Sequence, residues 1–410
     1  MRAVWTSICL VPVACAMVCG AVNGHQLTKL PPPNGKLNIY ALPIGQGDCT
    51  VIQCPATSHV QQQGRKRGRS QLPTTTRVTR QRLRSGFLNR MTQTPPLLTV
   101  VDMGALRTRY MSEENLSSFL GDQKGYIEVV TISHPDADHY NYIPSVLPID
   151  TLSSLKGVYI GCTKYQYRGD EYDESTMRGW LSAAENSGKL TFGDGNKCST
   201  VPKCPEIKIC EGLATLRMLG ANLGDAQCRS RYRNSNSLVL RLEYGQNFKL
   251  LLPGDFQDIS KGSNTGVQWD LINAWANDGG IQADFYKVAH HGAYQGGSSS
   301  TTKASKDHFL EAVRPKYAFS SSAAPPNSYG HPQCGLYQQL SQLSSIAKGS
   351  SLTNPQKYYT CGWGRKMITH IPSNSYGIYS TSPQPDRPMI IHIATDGTTS
   401  SIEPIPYHST

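Results

Sequence analysis

Three features are missing from this sequence, and each absence narrows what it can be. Past the first two dozen residues no apolar run approaches the roughly 20 residues that a membrane-spanning helix needs. No repeat of fixed period occurs, which sets aside solenoids and propellers. None of the twelve cysteines forms a Cys-x-x-Cys pair, so the common zinc-finger spacing is absent. Two local gaps matter more. No acidic residue lies between Gln61 and Thr92, and no histidine lies between His139 and His290.

What is present suits a folded domain. Charged residues make up 17% of the 410 residues and apolar ones 38%, a balance unlike that of a disordered chain. Residues 1–24 carry Arg2, an apolar run from Ile8 to Val22 and then small residues. This is the layout of a signal peptide; a signal anchor is the alternative reading. Cleavage would leave a secreted chain with no membrane span. It would also remove Cys9, Cys15 and Cys19, leaving nine cysteines that should largely pair in an oxidising compartment. Nine is odd, so one stays free or bonds another chain. Cys198, Cys204, Cys210 and Cys228 read as disulfide staples of a loop-rich insertion at about 195–230. Asn115-Leu116-Ser117 is a glycosylation sequon.

The net charge of +11 is local. Nine lysines and arginines fall between Gln61 and Thr92, which leaves +2 for everything else. A Gln-, Ser-, Thr- and Arg-rich stretch of this kind, at about 59–94, reads as an insert without packed structure. It could bind nucleic acid by counterion release, or be a solvated loop or a processing site.

After a Pro-rich leader (25–36), the chain alternates short apolar runs with polar turns. Leu37–Leu42 and Cys49–Cys54 read as a hairpin around Gly45-Gln46-Gly47-Asp48. Ser112 with Glu113 and Glu114 reads as a helix start, and Glu171–Ser187, Val267–Ala276 and Lys303–Val313 read as further helices. Leu97–Val101, Ile127–Ile132, Gly157–Gly161, Leu213–Leu219, Leu238–Leu242, Phe248–Leu252, Phe285–Ala289, Tyr317–Ser320 and Met389–Ile393 read as strands. Several strands end in Asp or His: Asp102, the His134–His139 loop, Asp255, and His290-His291. Side chains at strand ends on one sheet edge can converge, and the whole reads as a layered α/β architecture.

The densest of these loops is Ser133-His134-Pro135-Asp136-Ala137-Asp138-His139, directly after a buried-strand pattern. Two imidazoles and two carboxylates in six residues suit a divalent cation, zinc first and manganese next. A surface turn is the bland alternative, since Pro-Asp-x-Asp also suits one. For Asp255 the bland role is a turn cap, and for His331 a structural histidine.

Six pieces taken together resemble the metallo-β-lactamase superfamily. They are Gly45-Gln46-Gly47-Asp48, Val101-Asp102-Met103-Gly104, the His134–His139 loop, Leu252-Pro253-Gly254-Asp255, Lys287-Val288-Ala289-His290-His291-Gly292 and Tyr329-Gly330-His331-Pro332. The resemblance is closer still to the metallo-hydrolase domain attached to bacterial competence DNA-uptake channel proteins. It implies a four-layer αββα sandwich over residues 37–350, with 351–410 as a C-terminal extension packed on that domain. By carry-over, His134 and Asp136 would serve a first metal, and Asp138 and His139 a second. Asp255 would bridge them, and His290 or His291 would complete the second site. Asp48, Asp102 and Asn236 would stand behind the ligands. The resemblance further implies a hydrolase whose metal-activated water attacks a phosphodiester, nucleic acid among the candidates, with Asp138 and His331 as the catalytic pair. A small ester, lactone or thioester is the alternative substrate, and a binding protein of weakened activity the alternative class.

Three departures from the superfamily pattern stand out. Asp136 occupies the place of the second histidine in His-x-His-x-Asp-His. The histidine-free span from His139 to His290 removes the further ligand that many members give the first metal. That site should therefore be weak, oxygen-rich or empty. Tyr140-Asn141-Tyr142, where relatives often carry glycines, should narrow the pocket mouth or offer stacking.

Overall fold

The computed structural model describes residues 27–56, 96–106, 110–193, 195–199, 204–224, 228–229, 233–258, 266–293, 308–325, 327–347, 358–363, 367–372, 377–384 and 387–407. The expected signal segment, the basic insert and the first residues of the expected Lys303–Val313 helix lie outside them.

The first half of the chain builds one sheet. Its strands are β1 (Leu37–Ala41), β2 (Gln46–Gln53), β3 (Leu98–Leu106), β4 (Ile127–Ile132), β5 (Gly157–Ile160) and β6 (Leu190–Phe192). The chain then crosses to a second sheet of β7 (Glu206–Ile209), β8 (Ala214–Gly220), β9 (Val239–Tyr244), β10 (Phe248–Leu252), β11 (Phe285–Lys287) and β12 (Tyr317–Ser320). A separate hairpin follows, β13 (Tyr358–Trp363) with β14 (Met367–Pro372). The last three strands return to both sheets. β15 (Ile378–Ser380) extends the second beside β12, while β16 (Met389–Thr395) and β17 (Ser400–Pro406) extend the first beside β1. This corrects the expectation of an extension packed on the domain. The C-terminal segment is part of both sheets, and β16 covers the backbone edge that β1 would otherwise expose.

Helices α1 (Glu113–Leu120), α2 (Ile143–Val146) and α3 (Met177–Asn186) cover the first sheet, and α4 (Val267–Trp275), α5 (His308–Val313) and α6 (Cys334–Gln342) the second. Three separate apolar cores show the four layers directly. Leu116, Phe119 and Trp180 pack with Val130 and Ile132 of the first sheet. Ile39, Ile52 and Val129 meet Leu216, Leu240 and Leu250 between the sheets. Leu251 and Tyr286 pack with Leu271, Trp275 and Phe309 outside the second sheet. On β10, Leu250 and Leu252 enter the middle core and Leu251 the outer one, as the two-residue period of a strand requires. The fold is the αββα sandwich.

Local chemistry sets the helix ends. Ser112 caps α1, its Oγ accepting the Asn115 amide at 3.2 Å. The expected Glu171–Ser187 helix starts only at Met177. Before it, Asp170 and Asp173 draw nearby amides and hydroxyls into turns, and Thr176 then caps the helix.

Four disulfides tie the described residues: Cys54–Cys210, Cys162–Cys228, Cys198–Cys204 and Cys334–Cys361, with Cys49 free and buried. Only Cys198–Cys204 is internal to the cysteine-rich stretch. Cys210 and Cys228 instead fasten it to the ends of β2 and β5.

Candidate metal centre

The site lies where the carboxyl ends of strands from both sheets meet. Asp102 sits in a β-bulge of β3, where the pairing with β2 slips between Cys49 and Thr50, and its φ is +55°. Such a bulge re-aims one side chain, here toward the loop after β4. That loop carries His134 and Asp136, then one 3₁₀ turn, Ala137–His139. Gly104 lets it approach, since a Cβ there would lie 2.5 Å from the Tyr140 nitrogen. Gly254, at φ +58°, does the same from the second sheet, where a Cβ would meet Ser133 at 2.4 Å. Asp255 follows β10, and His290 and His291 follow β11 with φ of +50° and +54°. Left-handed backbone at two successive histidines is strained, and it turns the two rings to different neighbours.

The ring nitrogens facing away from the centre are engaged. His139 Nδ1 donates to Asp102 Oδ2 at 3.0 Å, and Asp102 Oδ1 accepts the Ser133 amide at 2.6 Å. His291 Nδ1 donates to the Ser321 carbonyl at 2.8 Å. These bonds fix the tautomers and leave both Nε2 lone pairs facing inward. His139 Nε2 lies 3.2 Å from Asp255 Oδ1. His291 Nε2 lies 3.5 Å from Asp255 Oδ2 and 3.3 Å from Asp138 Oδ2. His134 Nε2 lies 3.4 Å from Asp136 Oδ2 and 3.8 Å from Asp255 Oδ2. His134, His139, Asp255 and His291 are all buried, yet Nε2 of the three histidines and Oδ1 of Asp255 make no hydrogen bond. Buried polar atoms are nearly always satisfied. Orphans that converge on one point fit a divalent cation.

Charge points the same way. Among the described residues, Asp48, Asp102, Asp136, Asp138 and Asp255 meet two permanent cations, Lys287 and Arg233. Burial would raise the Asp255 carboxyl, but His139, His291 and His290 outweigh it and hold it well below the usual range. Burial would likewise lower His291, but Asp255, Asp48 and Asp138 push it up to about 9. His139 is raised well above its ordinary value, against burial, chiefly by Asp255 and Asp102.

The remaining residues fall into clear places. His291, not His290, faces Asp138. His290 Nδ1 donates to Gln257 Oε1 at 2.8 Å, and its Nε2 accepts from the Asn234 amide at 3.3 Å. Asp48 stands behind both rings, 3.4 Å from His139 Nδ1 and 3.7 Å from His291 Nδ1. It forms a buried ion pair with Lys287, which also donates to the Gly254 carbonyl at 3.3 Å. One ligand atom each of Asp48, His139, Asp255 and His291 lies within 4.8 Å of the others. Lys287 holds Asp48 Oδ2, both Nδ1 atoms face the carboxylate, and its Oδ1 makes no hydrogen bond. Asn236 braces the cysteine-rich loop, its amide donating to Cys228 Sγ at 3.2 Å and its Oδ1 accepting the Gly224 amide at 2.8 Å. Asn141, in the tyrosine-flanked stretch, pairs with both backbone groups of Ala105 and fastens the loop to β3. His331 is buried beside His290, ring centres 5.2 Å apart.

Sequence reading missed Lys287, Arg233 and Gln257. Lys287 lies inside one of the six motif pieces, so a buried strand lysine was the available signal. The other two had none. A second cluster, Cys54, Glu128 and Cys210, has its two sulfurs joined in a disulfide and so offers no thiolate.

No family model and no curated protein matches the chain. Solved structures that resemble it weakly include the following two. A mutant of the CmlA beta-hydroxylase shares 11% identity at a TM-score of 0.33, covering 72% of this chain and 47% of that one. Human tRNase Z, short form, shares 14% at a TM-score of 0.26, covering 55% of this chain and 81% of that one. This chain thus spans about half the length of the first of the two.

Proposed function

We propose that the chain is a secreted metal-dependent hydrolase that cleaves a phosphodiester. One observation carries this reading: the unpartnered Nε2 atoms of His139 and His291 converge on Asp255 and Asp138 in a buried, acid-rich centre. Imidazole and carboxylate ligands of this kind suit zinc first and manganese second. Asp138, His139, Asp255 and His291 would hold the ion. When bound, a divalent cation lowers the pKa of a water toward about 7 and neutralises charge on a phosphoryl oxygen.

The chain's own residues do the rest. Asp102 and the Ser321 carbonyl lock the ligand rings in the required tautomer. Lys287 neutralises Asp48, which keeps a fifth carboxylate from competing for the ion. Asp138, buried and facing His291 Nε2 at 3.3 Å, is the group placed to take a proton from the attacking water. Burial, then the neighbouring His290 and His291, lower His331 to about 3. It is therefore neutral at working pH, suited to donating an N–H hydrogen bond to a phosphate or leaving-group oxygen but not an imidazolium proton. The arginine-rich residues 61–92 favour nucleic acid as the phosphodiester, and four disulfides favour an oxidising compartment. Among the described residues no helix is long and apolar enough to cross a membrane.

The test is metal content and turnover of bis(p-nitrophenyl) phosphate by the purified chain and by Asp138→Ala. Bound zinc or manganese with turnover that the variant loses supports the reading. Metal with turnover only of esters or lactones moves the substrate class. No metal and no turnover leaves a binding protein on this fold.

A further inference from the structure

The first-metal position does not look like the second. Its residues are His134, Asp136 and Oδ2 of Asp255, an oxygen that also faces His291, and among the described residues no further histidine with a free ring nitrogen completes them. His290 is adjacent, with Nε2 3.7 Å from Asp255 Oδ2, but the same lone pair accepts the Asn234 amide. A cation already stands there. Arg233, at the start of the turn that carries Asn234, places Nη1 3.1 Å from Asp136 Oδ1. Asp136 in turn faces His134 through its other oxygen. The buried Arg233 Nε makes no hydrogen bond among the described residues, while 28% of the side chain stays open to solvent. Arginine cannot give up its charge in a protein and presents a fork that matches a phosphoryl oxygen pair.

We propose that Arg233 takes the place of the first metal ion, so that the centre binds one divalent cation, and that its guanidinium is the second electrophile that receives the substrate's phosphoryl oxygens. This rests on the metal-centre reading above. The logic is electrostatic substitution. A metal at His134 and Asp136 would have to displace a charge-assisted hydrogen bond and lie against a fixed positive charge, with only three ligands to compensate. At the second position two imidazoles and two carboxylates are open and no cation competes.

The experiment counts metal by plasma mass spectrometry on the full secreted chain loaded with excess zinc or manganese. The manganese-loaded protein is also read by electron paramagnetic resonance. Wild type should hold one ion per chain with an uncoupled manganese signal. Arg233→Ala should admit a second ion and show the coupled signal of a close pair. Arg233→Lys, which keeps the charge, should stay at one. With manganese at one per chain, Arg233→Ala should raise KM for a phosphodiester at least tenfold, with a smaller loss in kcat. Two ions in wild type, or one in both wild type and Arg233→Ala, would overturn the proposal while leaving the hydrolase reading intact. No ion in wild type would sink the hydrolase reading, and this inference with it.

Discussion

Asp102 joins the metal-centre loop to its ligand. One oxygen accepts the Ser133 amide at 2.6 Å and the other accepts His139 Nδ1 at 3.0 Å. The same carboxylate thus fixes where the loop leaves β4 and which nitrogen of His139 faces Asp255. Its left-handed backbone is a local cost, accepted because no regular strand position would aim a side chain at both groups. Burial would raise the carboxyl, but His139 and the Ser133 amide lower it, so it stays ionised.

Asp102→Ala should therefore weaken metal binding by about 10–100-fold, the range for removing such an orienting partner. Asp102→Asn should fall in between, since an amide can still accept from Ser133 but not hold His139 in the same tautomer. Competition against a chelating dye measures this without any substrate. Unchanged affinity in Asp102→Ala would show that the loop alone sets the ring.

Lys287 and Asp48 bridge the two sheets, and both side chains are almost wholly buried. Removing one partner of a buried pair leaves an uncompensated charge. Lys287→Met should cost about 3–5 kcal/mol of stability. The double variant Lys287→Met with Asp48→Leu should recover a large part of that. Urea denaturation of the metal-free proteins reads both. If the two single losses simply add in the double variant, the pair is not coupled.

Cys54–Cys210 closes a separation of 156 residues and Cys198–Cys204 one of 6. Loop-closure entropy makes the longer bridge the stronger constraint on the unfolded chain. Replacing Cys54 and Cys210 by alanine should cost about 2–5 kcal/mol, and replacing Cys198 and Cys204 clearly less. Glu128 adds to the first loss, because its buried carboxylate accepts the Cys210 amide at 2.5 Å beside the bridge. Equal shifts in denaturation midpoint for the two pairs would contradict this ranking.

What could be read from the sequence was local chemistry with a period. Ile127–Ile132, Phe248–Leu252 and Tyr317–Ser320 are strands over the expected bounds, because short apolar runs between turn residues have few other options. The ligand loop was legible for the same reason, being a dense composition directly after a strand. Illegible were elements defined by distant partners. β15 has three residues, and its identity comes from pairing with β12 some sixty residues earlier. β7 alternates cleanly, with Ile207 and Ile209 inward, but lay hidden within a stretch read through its cysteines. Arg233 was invisible too, because an arginine in a polar turn is ordinary until the fold sets it against Asp136.

His331 gives the pH dependence its clearest sign. Burial, with His290 and His291 adding to it, lowers it from an ordinary 6.5 to about 3, so the folded protein holds it neutral while the unfolded chain protonates it near 6.5. The unfolded state then binds the extra proton between those values, and stability falls as pH falls through that window. Above 6.5 both states are neutral at this residue and it contributes no slope. His290, also lowered by burial, acts in the same direction. His139 and His291, both raised, act in the opposite one. Their contribution is complete below about 6.5 and is lost as pH rises toward the value of about 9 that His291 reaches. The measurement that isolates His331 is urea denaturation of chelator-treated wild type and His331→Gln at intervals from about pH 7 to pH 4. The difference between the two should be flat near neutrality, then shift steadily in favour of the variant as the solution becomes more acid. Parallel curves would mean that His331 protonates as readily folded as unfolded. It would then be free to act as an imidazolium acid, reversing the role assigned to it here.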